Sequence, residues 1–163
     1  VGQLDTPWKG AHLALDAWTR LPGELKQKRR CELHLCAYAN PPQVVDPTIV
    51  LHQWKRPEEV GAFMRTLDVL IVPSTSSETF SQVMVQGMLT AMPILAYALD
   101  VLTEKLDTGG GLAFATPQEL AAHINSLCEN PAEIQRMGTI ARATALERYV
   151  WRLEHFTGRY LGS

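Results

Sequence analysis

The chain has 163 residues, is 46% hydrophobic and 20% charged, and carries a formal charge of −2. This length and apolar share suit one globular domain and exclude a disordered, collagenous or low-complexity chain. Fifteen Lys and Arg against 17 Asp and Glu leave no surplus to neutralise a phosphate backbone, so no nucleic-acid partner is expected. The longest uncharged apolar stretches, residues 69–73 and 92–99, fall far short of the roughly 20 residues that span a bilayer. With no signal peptide and no Met at Val1, the chain reads as a piece of a longer protein. Cys31, Cys36 and Cys128 are odd in number and lack C-x-x-C spacing. They read as small buried hydrophobes in a reducing cytosol, not as a disulfide framework or a zinc site.

Residues 1–4 are apolar and are broken by Asp5-Thr6-Pro7. From Lys9 to Leu21 the apolar positions Leu13, Ala17 and Leu21 recur at helical spacing, and Pro22-Gly23 stops the pattern. Residues 24–30 are charged. Cys31, Leu33 and Leu35 alternate with Glu32, His34 and Cys36, the period of a strand. Residues 38–47 hold three prolines and read as a loop, and residues 48–52 are β-branched and strand-like. Pro57-Glu58-Glu59 opens a helix striped by Val60, Phe63, Met64 and Leu67. Residues 69–72 and 93–96 are short continuous apolar runs, the mark of strands buried on both faces. Between them lie a polar turn at 74–78 and a helical stretch at 81–90. Gly109–Gly111 turn into a last strand at 112–115. Thr116-Pro117-Gln118-Glu119 carries a cap, a first-position proline and an acid, and starts a helix striped by Leu120, Ile124 and Leu127. Asn130-Pro131 precedes a long helix over 132–148. Strands alternating with helices predict an α/β class: a single Rossmann-like domain, its mostly parallel sheet flanked by helices, without repeat or linker.

In such a sheet ligands sit beyond the carboxyl ends of strands, near helix N-termini. Two loops follow strands in this way. The first, residues 5–10, places Lys9 just before a helix, where its ammonium and the backbone N–H groups could share an anion. The second, residues 74–81, is small and hydroxyl-rich, so its amides can approach a phosphate. Lys9 is otherwise a solvated lysine, and Ser77 or Ser81 an N-cap. No P-loop, G-x-G-x-x-G, H-E-x-x-H or G-x-S-x-G motif is present. The five histidines, at 12, 34, 52, 123 and 155, lack metal spacing, so neither a metal nor a cofactor is expected. The basic run from Lys26 to Arg30 reads as a solvated face, with a contact to anionic lipid headgroups as the functional alternative.

Residues 68–74 (DVLIVPS), Ser77-Glu78-Thr79-Phe80, Gln86-Gly87-Met88 and residues 92–96 (MPILA) resemble the C-terminal donor-binding domain of GT-B glycosyltransferases of the retaining group 1, family 4-like type. Val1-Gly2-Gln3-Leu4 with Lys9-Gly10 is similar to that family's opening. Its ending is similar to residues 117–120, Met137, Ala141-Arg142 and Tyr149-Val150-Trp151. The match runs in order over nearly the whole chain. It implies a nucleoside-diphosphate sugar as substrate, with Lys9 on the diphosphate and Glu78 as the catalytic-site carboxylate against the donor sugar. It also implies donor contacts from the amides of Thr79, Phe80, Ser81 and Gln82, and nucleobase contacts from Trp54 and Lys55. Gln3 stands at the family's phosphate-binding arginine, and Gln86 at the second glutamate of E-x7-E, where ribose hydroxyls are held.

Further departures are Asp100-Val101 at a Gly-Gly pair that faces the donor, and Ala91 at a glycine. The implied whole enzyme transfers a hexose to a glycan or lipid-linked acceptor in polysaccharide biosynthesis. Its N-terminal acceptor domain would precede this chain; the helical face of Tyr149, Leu153, Phe156 and Tyr160 would either meet that domain or pack on its own. The expected location is cytoplasmic, peripheral to the inner face of the membrane. The alternative is a degenerate GT-B-like domain that acts as a non-catalytic interaction module.

Overall fold

The computed structural model describes residues 6–37, 46–76 and 78–150. Gln3, the expected first strand, most of the proline-rich loop, Ser77, and Leu153, Phe156 and Tyr160 lie outside the described residues. A 3-10 turn over Pro7–Lys9 leads into α1 (Ala11–Arg20) and α2 (Gly23–Arg29). Then come β1 (Leu33–Ala37), β2 (Ile49–Gln53), α3 (Pro57–Met64), β3 (Leu70–Val72), α4 (Gln82–Leu89) and β4 (Ile94–Tyr97). A short α5 (Asp100–Thr103) continues into a 3-10 turn, Glu104–Leu106. β5 (Gly111–Phe114), α6 (Pro117–Glu129) and α7 (Pro131–Arg148) complete the described elements.

Every described strand pair is parallel: β1 with β2, and β3-β4-β5 in that order. Successive side chains of β4 go to opposite sides. Leu95 joins a core with Ala17, Trp18, Leu120 and Ile124 of α1 and α6. Ile94 and Ala96 join a second core with Met64, Met84, Met88 and Ala141 of α3, α4 and α7. Coverage on both faces is why the strand reads as an unbroken apolar run. Each such aliphatic side chain taken from water contributes about 1.5–3 kcal/mol.

Two elements depart from the sequence reading. The charged stretch after Pro22-Gly23 is the helix α2, with Glu24 in its first turn and three cations in its last, charges that suit the helix dipole. Leu25 packs it on the first core, and Arg30 ends it in the left-handed region at φ 53°. Within the run, Lys26 is bound inward: its Nζ meets Asp46 at 2.8 Å and lies over the Trp18 ring. Lys28, Arg29 and Arg30 remain exposed. The second element is α5 with its 3-10 turn, which the sequence pattern left without structure. Among the described residues no helix is long and apolar enough to cross a membrane.

Candidate functional site

The site forms where the turn before α1 touches the end of β3. Gly10 takes φ 69°, and a Cβ there would lie 1.9 Å from the Pro73 carbonyl oxygen. Only glycine combines this left-handed conformation with so close an approach. The Thr75 N–H donates to the Trp8 carbonyl at 2.8 Å, fixing the two loops together. Lys9 and Glu78, 69 residues apart, are thereby joined: Lys9 Nζ donates to Glu78 Oε1 at 2.6 Å. Ser74, which is buried, donates its hydroxyl to the same oxygen at 3.0 Å. Among the described residues Oε2 has no hydrogen-bond partner. One oxygen of the carboxylate is thus anchored by two donors.

Lys9, Ser74 and Glu78 thus stand together at the carboxyl end of β3.

Ser81 stands at the N-cap of α4 in the left-handed region, φ 59°, and its side chain makes no capping bond. Its hydroxyl is buried and is the side-chain polar atom recorded without a hydrogen-bond partner among the described residues. Thr79 and Phe80 are exposed beside it. Gln82 and Gln86 are both exposed, one helical turn apart on α4, so they share one face. Oriented N–H groups at such a helix start favour an anion.

Trp54 and Lys55 leave the carboxyl end of β2. Lys55 Nζ lies 5.3 Å from the centre of the Phe63 ring. Nearby His34 and His52 share a 2.8 Å hydrogen bond and stack with ring centres 5.0 Å apart. His34 also bonds Glu32. Burial, reinforced by His34 and Lys55, lowers the His52 pKa. Among the described residues no cluster of three or more His, Cys, Asp or Glu side chains could hold a metal ion.

Sequence reasoning missed Ser74 as a partner of Glu78, because a serine in a polar turn carries no sign of burial. It also missed Lys105, whose neighbour Glu104 makes the pair look like a solvated face. Lys105 is 0% exposed. Ala91, by contrast, explains a departure noted above: it sits at φ 61°, the conformation a glycine would take without strain.

The parallel strands with helices on both faces, and a polar cluster at the end of β3, define an α/β domain of Rossmann-like, half-GT-B architecture. The sequence pattern of the family described as glycosyl transferases group 1 matches residues 1–130, and the chain belongs to that family of GT-B glycosyltransferases. It is 28% identical over 165 aligned residues to the MMP alpha-(1->4)-mannosyltransferase of Mycolicibacterium hassiacum, an alignment covering 93% of the chain and 39% of that protein. The fold is similar to that of Anabaena Alr3699/HepE crystallised with UDP-glucose: TM-score 0.74, 22% identity, 88% of this chain and 42% of that one. It is also similar to WaaG, a glycosyltransferase involved in lipopolysaccharide biosynthesis: TM-score 0.79, 18% identity, 96% of this chain and 44% of that one. The chain thus spans about two fifths of the length of the relatives it matches.

Proposed function

We propose that this chain is the donor-binding half of a retaining glycosyltransferase that moves a hexose from a nucleoside-diphosphate sugar to a glycan or lipid-linked acceptor. The observation that carries the reading is the Lys9–Glu78 pair at the end of β3, in the loop that leads to α4. A diphosphate leaving group gains negative charge as the glycosidic bond breaks, and a fixed cation with aimed N–H donors stabilises that charge. Lys9 and the amides from Thr79 to Gln82 would supply both. Glu78 Oε2 would accept from hydroxyls of the donor sugar. Lys9 must trade part of its bond to Glu78 for the phosphate, so donor binding and the ion pair compete. Family membership, and the relative crystallised with UDP-glucose, support this class of donor.

In this reading an N-terminal domain closes the cleft and brings the acceptor, and the chain alone does not turn over. The protein works in the cytoplasm, with Lys28, Arg29 and Arg30 available to an anionic membrane surface. Gln86 gives the ribose a neutral hydrogen-bond partner, weaker than a carboxylate. Isothermal calorimetry with UDP and GDP tests the reading: binding that weakens on Lys9→Met supports it, and no heat at millimolar nucleotide defeats it in favour of a non-catalytic module.

A further inference from the structure

Lys105 is the most deeply buried charge among the described residues, its side chain 1% exposed. Its ammonium donates to the Val101 carbonyl at 2.8 Å and to Glu104 Oε1 at 2.8 Å. It lies 5.0 Å from the centre of the Phe80 ring and 5.5 Å from that of Tyr149. The two rings meet edge to face, 5.9 Å apart at 79°. One cation thus ties together the turn before α4, the first turn of α5 and the end of α7.

This arrangement is a poor device for stability. Taking an ammonium out of water is costly, and an apolar side chain of similar size commonly serves as well or better. The anionic partner does little to offset the cost, since Glu104 is 63% exposed and its charge is screened by water. The two rings and the Val101 carbonyl add attraction but cancel no charge. The ammonium therefore stands directly beside Phe80, the residue that joins Glu78-Thr79 to Ser81. Ser81 adds an independent sign of a ligand: a buried hydroxyl without a partner, at the start of α4, on strained backbone. Such local cost is characteristic of binding sites. Asp100, exposed at the first position of α5, adds a negative charge to the element whose Val101 carbonyl holds Lys105.

We propose that Lys105 is the second cation of the anion site, a positioning residue that holds the Phe80–Ser81 turn and makes the start of α4 attractive to a diphosphate. Its charge acts through the Phe80 ring, 5.0 Å away, and not from the loop that carries Lys9. This rests on the donor-binding reading above and adds to it the source of the site's second positive charge.

The experiment compares the full chain with Lys105→Met and Lys105→Arg, by thermal melting and by calorimetry with UDP, GDP, uridine and guanosine. For Lys105→Met the expected result is an unchanged or raised melting temperature. Diphosphate binding should weaken about tenfold, the loss of one nearby charge in a partly desolvated site, with nucleoside binding unchanged. Lys105→Arg keeps the charge and should keep the preference for diphosphate over nucleoside. Equal diphosphate affinity in wild type and Lys105→Met overturns the proposal and leaves the donor-binding reading intact. So does a parallel loss of nucleoside and diphosphate, which marks a purely structural lysine. No nucleotide binding by the wild type defeats both readings. Should Lys105→Met fail to fold, Lys105→Arg decides: a folded variant that has lost the diphosphate preference overturns the proposal.

Discussion

Lys9 Nζ and Glu78 Oε1 are 2.6 Å apart although 69 residues separate them in sequence. The lysine is one-third exposed and the glutamate largely buried, so the pair contributes at most about 1 kcal/mol to stability. Its weight falls on ligand selection. Glu78→Gln removes a negative charge beside the anion site and frees Lys9. Free UDP or GDP should bind a few-fold tighter, while the preference for the sugar-bearing donor over the bare diphosphate should shrink. Competitive calorimetry reads both; an unchanged ratio of the two affinities contradicts the assignment.

Gly10→Ala should damage fold and site together. The new Cβ would meet the Pro73 carbonyl oxygen at 1.9 Å at a residue with φ 69°. Left-handed backbone costs a non-glycine residue about 1–2 kcal/mol and overpacking typically a further 1–3. Denaturant titration should show a loss of about 2–4 kcal/mol. Nucleotide binding should fall as Lys9 is displaced from the diphosphate site. A variant as stable as the wild type would show that the two loops are not held in contact.

Ala91→Gly should act the other way. Ala91 has φ 61°, a strain that glycine relieves. Part of the gain is lost because glycine makes the unfolded chain more flexible, by about 0.4–1 kcal/mol. The net expectation is a melting temperature higher by about 1–3 °C for a domain of this size. A lower value would mean that the alanine methyl packs better than its backbone angle suggests.

Acid should destabilise the chain in two separate windows. Burial first, then the charges of His34 and Lys55, lowers the pKa of His52 from 6.5, so the folded state prefers the neutral ring. That contribution is full above 6.5 and is lost as pH falls below it. His52→Gln should flatten the stability profile below pH 6.5.

Asp46 titrates lower. Lys26 and Thr48 hydrogen bonds hold its carboxyl at about 2, against an ordinary 3.8. Its stabilisation is present above 3.8 and disappears as pH falls toward 2. With the side chain 25% exposed, screening leaves about 1 kcal/mol of the full linkage value. Asp46→Asn should lose that amount at pH 7, and the difference from wild type should vanish only as pH falls through about 2.

The alternation of apolar runs with helical stripes was enough to read the α/β class, because period and burial are local properties of the chain. The cap Thr116, whose hydroxyl accepts from the Glu119 N–H at 3.2 Å, was legible for the same reason. So was Glu78 as a member of the loop that follows β3. The helix α2 was not legible: its residues are good helix formers, but Pro22-Gly23 reads as an ending and only the packing of Leu25 shows a beginning. Ser74 and Lys105 were invisible in principle, since polar side chains give no sign in sequence of whether water reaches them.

What the residues alone determined is the set of elements and the chemistry available on each loop, which follow from propensity and pattern within about ten neighbours. Tertiary structure decided which groups meet. Gly10 against Pro73 sets where Lys9 lies, one carboxylate oxygen is taken by Lys9 and Ser74, and a lysine is sealed beneath Phe80. Those outcomes depend on distances between segments far apart in sequence and on the dielectric of the space between them, and neither quantity exists until the chain has folded.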